Sequence, residues 1–246
     1  GGYKPFVNRY CSGQREASNL KELNFNLWQY CMFRREKSLV LTDLPDKIRQ
    51  VNTCEITNRK EYMDAERDLI MYLQKYKDAD DDKIEKALRG EVMVRINILR
   101  QISARGKVRD VIEFVKDFRE NGKKIILFCS LHEVVDQLKR YFPTAVSVTG
   151  RDSQDEKQRA VDAFQNNPKA DIIICSIKAA GVGLTLTASS NVAFVEFPWT
   201  YADCCQCEDR AHRIGQKDSV TCYYFLGRRT IDEKVYRIIQ EKKNIA

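Results

Sequence analysis

The chain has 246 residues, 43% of them hydrophobic and 31% charged, with a formal net charge of +7. That length allows one α/β domain with an appendage, and the balance of apolar and charged residues excludes a largely disordered chain. No apolar run approaches membrane-spanning length and no secretory leader pattern opens the sequence, while the positive balance suits an anionic partner such as nucleic acid.

In chain order, Asn19 to Leu23 caps and opens a helix directed toward Arg34 and Arg35. Leu44-Pro45-Asp46 breaks the chain, and Arg49 to Thr57 alternates as a short strand. Residues 58–77 have the period of a long amphipathic helix that ends in the acidic run Asp78 to Asp82. That run lacks the spaced ligands and the glycine of a calcium loop, so it reads as a solvated turn. Residues 91–103 resume a helical pattern.

From Lys107 onward strands and helices alternate. Val108 to Glu120 is a helix stopped at Gly122, Lys124 to Cys129 an apolar strand, Glu133 to Tyr141 a helix and Ala145 to Thr149 a strand. Ser153-Gln154-Asp155-Glu156 has capping-box spacing and opens a helix through Phe164, ended by Asn166-Asn167-Pro168. Strands follow at Asp171 to Ser176, Val192 to Phe197 and Thr221 to Leu226, with a helix between the last two and a closing helix from Ile231 to Lys242. Continuous apolar strands alternating with amphipathic helices predict an α/β fold, a parallel sheet with helices on both faces.

Cys129 and Cys175, two of nine cysteines, close apolar strands, where free thiols pack as small hydrophobes. A reducing compartment is expected. Cys204-Cys205-Gln206-Cys207 contains a Cys-x-x-Cys spacing with His212 nearby, but a structural zinc site needs a second pair and the sequence has none. No zinc is expected there.

Ligands on parallel sheets bind beyond the carboxyl ends of the strands. Ser130, Thr149-Gly150-Arg151, Ser176 to Leu186 and the segment from Trp199 onward all follow strand ends. In the loop Ala179 to Thr185, Gly181 and Gly183 let the backbone approach a sugar or phosphate without side-chain obstruction. The stretch Gln206 to Gln216 reads Gln-Cys-Glu-Asp-Arg-Ala-His-Arg-Ile-Gly-Gln. Its spacing puts Gln206, Arg210 and Arg213 on one helix face, with Ile214-Gly215 as the helix stop. Two guanidiniums on a rigid element suit a polyphosphate, because each offers a planar fork of donors and keeps its charge. Taken singly, these residues also fit plainer readings: a solvated basic helix end, a strand-to-helix turn, surface charge at Arg151 and Lys178, a core anchor at Trp199. The sequence has no Gly-x-x-x-x-Gly-Lys-Ser/Thr loop and no strand ending in an acidic pair for magnesium, so a complete nucleotide-hydrolysing site cannot be assembled from it.

Residues 106–243 resemble the second RecA-like lobe of a superfamily-two helicase of the Swi/Snf remodeller type. Gly106-Lys107 with the following helix and Lys124 to Ser130 resemble that family's fourth motif, Ser176 to Leu186 the fifth, and Glu196-Phe-Pro-Trp199 the segment after it. Gln206 to Gln216, with Arg-Ala-His-Arg-Ile-Gly-Gln, resembles the sixth and is the most specific match. Upstream, Phe33 to Lys37 with Leu44-Pro-Asp-Lys47 is similar to the hand-over between the two lobes. Ala17 to Leu23 and Ala179 to Thr187 look most similar to the annealing-helicase subfamily. After the tryptophan the family usually has Asn-Pro, whereas Thr200-Tyr201 follows here.

The resemblance implies three regions: residues 1–48 as the end of the first lobe and the inter-lobe linker, 49–105 as a strand plus helical protrusion, and 106–246 as the C-terminal lobe. It implies an ATP-dependent DNA translocase or helicase in chromatin remodelling or DNA repair, with ATP and Mg2+ bound mainly by a first lobe that this sequence lacks. Arg210 and Arg213 would reach across to the γ-phosphate, with Gln206, Asp209, Gly181 and Gly183 lining the ATP cleft and Asp209 orienting one of the arginines. Ser130, His132, Thr149, Gly150, Arg151, Ser176, Lys178 and Trp199 would contact DNA. Implied partners are double-stranded or branched DNA and the first lobe of the same parent chain, with no membrane and a monomeric, inactive fragment. The setting is intracellular: the nucleus in a eukaryote, the cytoplasm or nucleoid in a prokaryote. The alternatives are a non-catalytic nucleic-acid or protein-binding module, or an RNA helicase lobe.

Overall fold

A computed structural model describes residues 2–12, 17–33, 35, 37–41, 43–75, 82–179 and 183–241, the side chains of 38, 75 and 82–89 excepted. The chain divides into two compact units, Gly1–Asp43 and Leu44–Ala246.

The first unit contains α1 (Tyr3–Tyr10), α2 (Leu20–Tyr30) and α3 (Lys37–Val40). Asn19 does not cap α2 with its side chain as expected. It lies in the left-handed region at φ 50°, and its amide donates to Arg9 O at 2.8 Å. The side chain is thus committed to tying the connection back onto α1, which the pair Arg9–Glu22 at 2.7 Å also does. The helix ends at Tyr30, short of Arg35, and Arg34 lies outside the described residues.

The second unit runs β1 (Lys47–Cys54), α4 (Arg59–Lys75), α5 (Asp82–Glu120), β2 (Ile125–Cys129), α6 (His132–Tyr141), β3 (Val146–Val148), α7 (Gln154–Asn166), β4 (Ile172–Ser176), β5 (Asn191–Phe194), α8 (Tyr201–Glu208), β6 (Val220–Gly227) and α9 (Ile231–Glu241). One six-stranded sheet has the order β1-β6-β5-β2-β4-β3, and every pairing is parallel. Strands β2 and β4 are buried at every position, as uninterrupted apolar runs require when helices cover both faces. On one face Ile126, Phe128, Ile173, Phe194 and Tyr224 pack with Phe164 of α7, Cys204 and Cys207 of α8 and Ile239 of α9. On the other, Ile125, Leu127, Ile174 and Phe225 pack with Val111 and Val115 of α5 and Leu138 of α6. The parallel sheet with helices on both faces is therefore as expected.

Two local signals act as read from the sequence. Ser153 and Glu156 form a reciprocal capping box, and Gly122 ends α5 at φ 65°. The two helical stretches expected at 91–103 and 108–120 are one helix, α5, of 39 residues with Gly106 and Lys107 inside it. A Cβ on Gly106 would lie 2.2 Å from Asn58 Oδ1 and 2.7 Å from Ile56 Cβ. That glycine lets the helix cross the chain leaving β1 at close range. Strand β1 and the α4–α5 hairpin share a unit with the remaining strands, and the hairpin has its own small core of Tyr62, Leu69, Leu99 and Ile102. The acidic run at 78–81 lies outside the described residues. Among the described residues no helix is long and apolar enough to cross a membrane.

Candidate functional site

The residues singled out in the sequence sort onto two opposite edges of the sheet. At the carboxyl edge, Cys129 pairs with Ser176 and Val148 with Cys175, so Ser130, Ser176 and Thr149 stand side by side at the strand ends. A cleft of about 310 Å³ opens there, and Ser130, Lys178 and Trp199 all line it, together with Arg100 of α5. Its carboxylates serve their own loops. Glu196 Oε1 accepts from Ser130 N at 2.9 Å and Leu131 N at 2.8 Å, and Asp203 accepts from Thr200 Oγ1 at 2.6 Å. Thr200, which replaces the usual asparagine, caps α8 by accepting from Asp203 N at 3.1 Å. Lys178 is exposed and in no ion pair among the described residues, and with Arg100 it balances the formal charge of Glu196 and Asp203 around the mouth.

The other residues expected at this edge have more local duties. Thr149 is buried, and its amide and hydroxyl both donate to Asp152 Oδ2. Arg151 is exposed and pairs with Asp136 of α6 at 3.0 Å. Gly150 is exposed with open space where a side chain would stand. Ser176 Oγ accepts from Ala179 N at 3.3 Å, and half-buried His132 is the first residue of α6.

The arginine-bearing segment lies at the amino edge, which corrects the expectation of a helix at the carboxyl edge. Eight residues of α8 rise about 12 Å and four residues of β5 span about 13 Å, so the helix carries the chain back across the sheet. It ends at Glu208, and Arg210 to Gly215 follow as turns, with Gly215 at φ 99°. Gln206, Arg210 and Arg213 therefore do not share a helix face: Gln206 is exposed on α8 and Arg210 is buried beyond its end. Three contacts fix the segment at the amino edge. Val220 N, where β6 begins, donates to Asp46 O at 2.9 Å, His212 Nε2 donates to Pro45 O at 2.7 Å just before β1, and Gln216 Nε2 donates to Ser189 O at 3.0 Å just before β5.

The glycine loop and the arginine segment are laced together. Arg213 Nη1 donates to Leu184 O at 3.1 Å, Thr185 Oγ1 at 3.2 Å and, more weakly, Gly183 O at 3.5 Å, while Leu186 N donates to Arg210 O at 2.8 Å. Among the described residues Arg213 meets only uncharged acceptors, so its charge is oriented without being neutralised. Burial lowers the pKa of Arg210, and the like charge of Arg213 lowers it further. The two guanidiniums thus share one field that an anion would relieve. A Cβ on Gly183 would meet open space. Gly181 lies outside the described residues.

Beneath the arginines is a buried ionic clamp that the sequence reading did not anticipate. Glu208, fully buried, takes Arg49 Nε and Nη2 at 2.7 Å each, Lys47 Nζ at 2.9 Å and the Tyr224 hydroxyl at 2.8 Å. Burial would raise the Glu208 carboxyl, but the Arg49 fork and Lys47 outweigh it and hold it below the ordinary value. Lys47 Nζ also donates to Asp209 Oδ1 at 3.1 Å, which ties Asp209 to β1. The signal was the alternation in β1: Lys47 and Arg49 face inward, while Ile48 is 52% exposed. Tyr224 carries the clamp into the core, stacking on Phe194 at 4.7 Å, which stacks on Phe128 at 5.2 Å.

The cysteines of α8 belong to that core. Burial pushes the Cys204 thiol up to about 12 and raises Cys207 as well, and both are free thiols. Inert packing follows from that chemistry.

A family model described as helicase conserved C-terminal domain matches residues 106–215. The Xenopus tropicalis SWI/SNF-related matrix-associated actin-dependent regulator of chromatin subfamily A-like protein 1 is 29% identical over 98% of this chain and 26% of its own length. The Mus musculus DNA annealing helicase and endonuclease ZRANB3 is 30% identical over 100% of this chain and 24% of its own length. The chain thus spans about a quarter of the length of these curated relatives. Among solved structures, the C-terminal part of the Fun30 ATPase domain superposes with a TM-score of 0.67 at 18% identity, over 80% of this chain and 90% of that one. The Sulfolobus solfataricus SWI2/SNF2 ATPase core in complex with dsDNA gives 0.66 at 22% identity, over 100% of this chain and 55% of that one. At those identities the structures establish the fold alone, and it is RecA-like. With the helicase match spanning the strand ends and the arginine segment, the matches and the fold together support a C-terminal RecA-like lobe of the Swi/Snf type of superfamily two.

Proposed function

We propose that the chain is the C-terminal motor lobe of an ATP-dependent double-stranded DNA translocase, supplying arginines to a nucleotide held by a first lobe of the same parent protein. One observation carries this reading. Arg213 is held at the amino edge by neutral acceptors alone among the described residues, beside the buried Arg210 whose charge it perturbs. An oriented guanidinium that meets only uncharged acceptors, with a second one beside it, fits the terminal phosphate of a nucleotide.

ATP, when bound, would supply the phosphoryl group, and Mg2+ would draw off its developing charge. The residues here fit the anion and not the metal: among the described residues no group of three His, Cys, Asp or Glu side chains stands close enough to hold an ion. In the proposed motor the phosphate loop and metal carboxylates would lie in the first lobe. Arg213 and Arg210 would bind and orient the anion, Gln206, Gly181 and Gly183 would border it, and Asp209, tied to β1 by Lys47, would hold the start of the arginine turn. Residues 1–48 are then the end of that first lobe and the linker.

The carboxyl edge forms half of the DNA track. Ser130 and Lys178 meet phosphates and Trp199 lies against the strand, with Arg151, Gly150, Thr149, Ser176 and His132 continuing the edge. Hydroxyls, amides and single cations reading phosphates suit a motor that steps without regard to sequence. The names of the relatives, a chromatin regulator and a DNA annealing helicase, support a parent that works on DNA, in the nucleus if the source is a eukaryote.

The test is ATP turnover by the full-length parent with duplex DNA, single-stranded RNA or no nucleic acid. Stimulation by duplex DNA is expected. Stimulation by RNA alone would favour an RNA helicase lobe, and no turnover under any condition would favour a non-catalytic binding module.

A further inference from the structure

Trp199 does not stand alone at the carboxyl-edge cleft. The Arg100 guanidinium lies 4.0 Å from the centre of its ring and donates through Nη2 to Phe197 O, two residues earlier. Arg100 belongs to α5, just before the buried stretch from Ile102 to Ala104, so it reaches the cleft from the helical hairpin and not from a strand end. Its charge is half-buried, and the nearby Glu196 spends its carboxylate on the Ser130 and Leu131 amides. Trp199 nevertheless stays 41% exposed. An aromatic held on one face by a cation and left open on the other is restricted in orientation at little cost in accessible surface. Packing alone would not account for the hydrogen bond to Phe197 O, which fixes the backbone that aims the indole.

We propose that Arg100 is a positioning residue for duplex DNA: by stacking beneath Trp199 and holding Phe197 O, it presents the open face of the indole to the strand and joins helix α5 to the track. This rests on the assignment of Trp199 to that track. Asn97 and Gln101, exposed on the same helix beside the cleft, bring neutral amides to the same wall.

The experiment is duplex-stimulated ATP hydrolysis by the full-length parent carrying Arg100→Met, Arg100→Lys, Trp199→Ala and the Arg100→Met/Trp199→Ala pair. Trp199→Ala is expected to raise the duplex concentration giving half-maximal stimulation by about tenfold. Arg100→Met should raise it by about fivefold, with the shift on that concentration rather than on the rate at saturating duplex. The double variant should be no worse than Trp199→Ala alone, and Arg100→Lys, which keeps the charge, should recover part of the loss. In the 246-residue chain with Trp28→Phe, where Trp199 is the one remaining tryptophan, Arg100→Met should also change acrylamide quenching of the indole. If Arg100→Met unfolds in a thermal melt, Arg100→Lys is read against the same references. A Trp199→Ala variant with unaltered duplex dependence would overturn the track assignment itself. If Trp199→Ala shifts the dependence while Arg100→Met does not, or the two effects simply add, the positioning role of Arg100 is overturned and the track stands.

Discussion

Arg49 grips Glu208 with two parallel hydrogen bonds of 2.7 Å, across 159 residues of chain. The pair joins the edge strand β1 to the end of α8, one residue before the turn that carries the arginines. Ion pairs to a buried carboxylate contribute little net stability when intact, but losing the partner leaves the buried charge uncompensated.

Arg49→Met should therefore destabilise the chain by about 3–5 kcal/mol, read as a lowered midpoint in urea. Lys47 remains as a single donor to Glu208, which puts the effect toward the lower end of that range. Arg49→Lys should cost less, since it keeps the charge while losing the fork. An Arg49→Met variant as stable as the parent would show that the clamp is dispensable.

The same clamp sets a dependence on pH. The folded carboxyl of Glu208 is held below an ordinary value near 4.5. Its contribution is thus fully present above that value and is lost as the pH falls through the lower, folded one. Urea midpoints of the parent and of Glu208→Gln should differ most at neutral pH and converge as the pH falls below 4.5 and through the lower, folded value. A difference that stays constant down to pH 3 would contradict the assignment.

Lys178 is the exposed cation of the cleft that no carboxylate neutralises among the described residues. If it meets one phosphate, Lys178→Ala should weaken duplex binding by the full-length parent about equally for all sequences. The slope of log affinity against log salt should fall by about 1. An unchanged slope would place the lysine off the track.

The fold was largely legible in the sequence and the site only partly so. Ile125 to Cys129 and Ile172 to Ser176 announced buried parallel strands because parallel pairing under two helical layers leaves no polar face. The Ser153 box and Gly122 act through neighbours a few residues away, so their signals are local. Strand β1 was harder, because its inward positions are the charged ones, and Lys47 and Arg49 make sense only opposite Glu208. The spacing of Gln206, Arg210 and Arg213 suggested one helix face, but α8 stops at Glu208, where its carboxylate meets the clamp. Their neighbourhood with Leu184 and Thr185 was readable, whereas the edge on which they sit depended on how far α8 carries the chain back. Arg100 left no local signal, since strands β2 to β5 lie between it and Trp199 in the chain.

The central claim is that Arg213 acts on a nucleotide held by another lobe, and the most direct measurement is duplex-stimulated ATP turnover by the full-length parent with Arg213→Ala. A cation supplied across a cleft to a transferring phosphoryl group is worth roughly three to five decades in rate. The expected result is a loss of at least about a thousandfold, with the thermal midpoint near that of the parent. Turnover close to the parent rate would contradict the account.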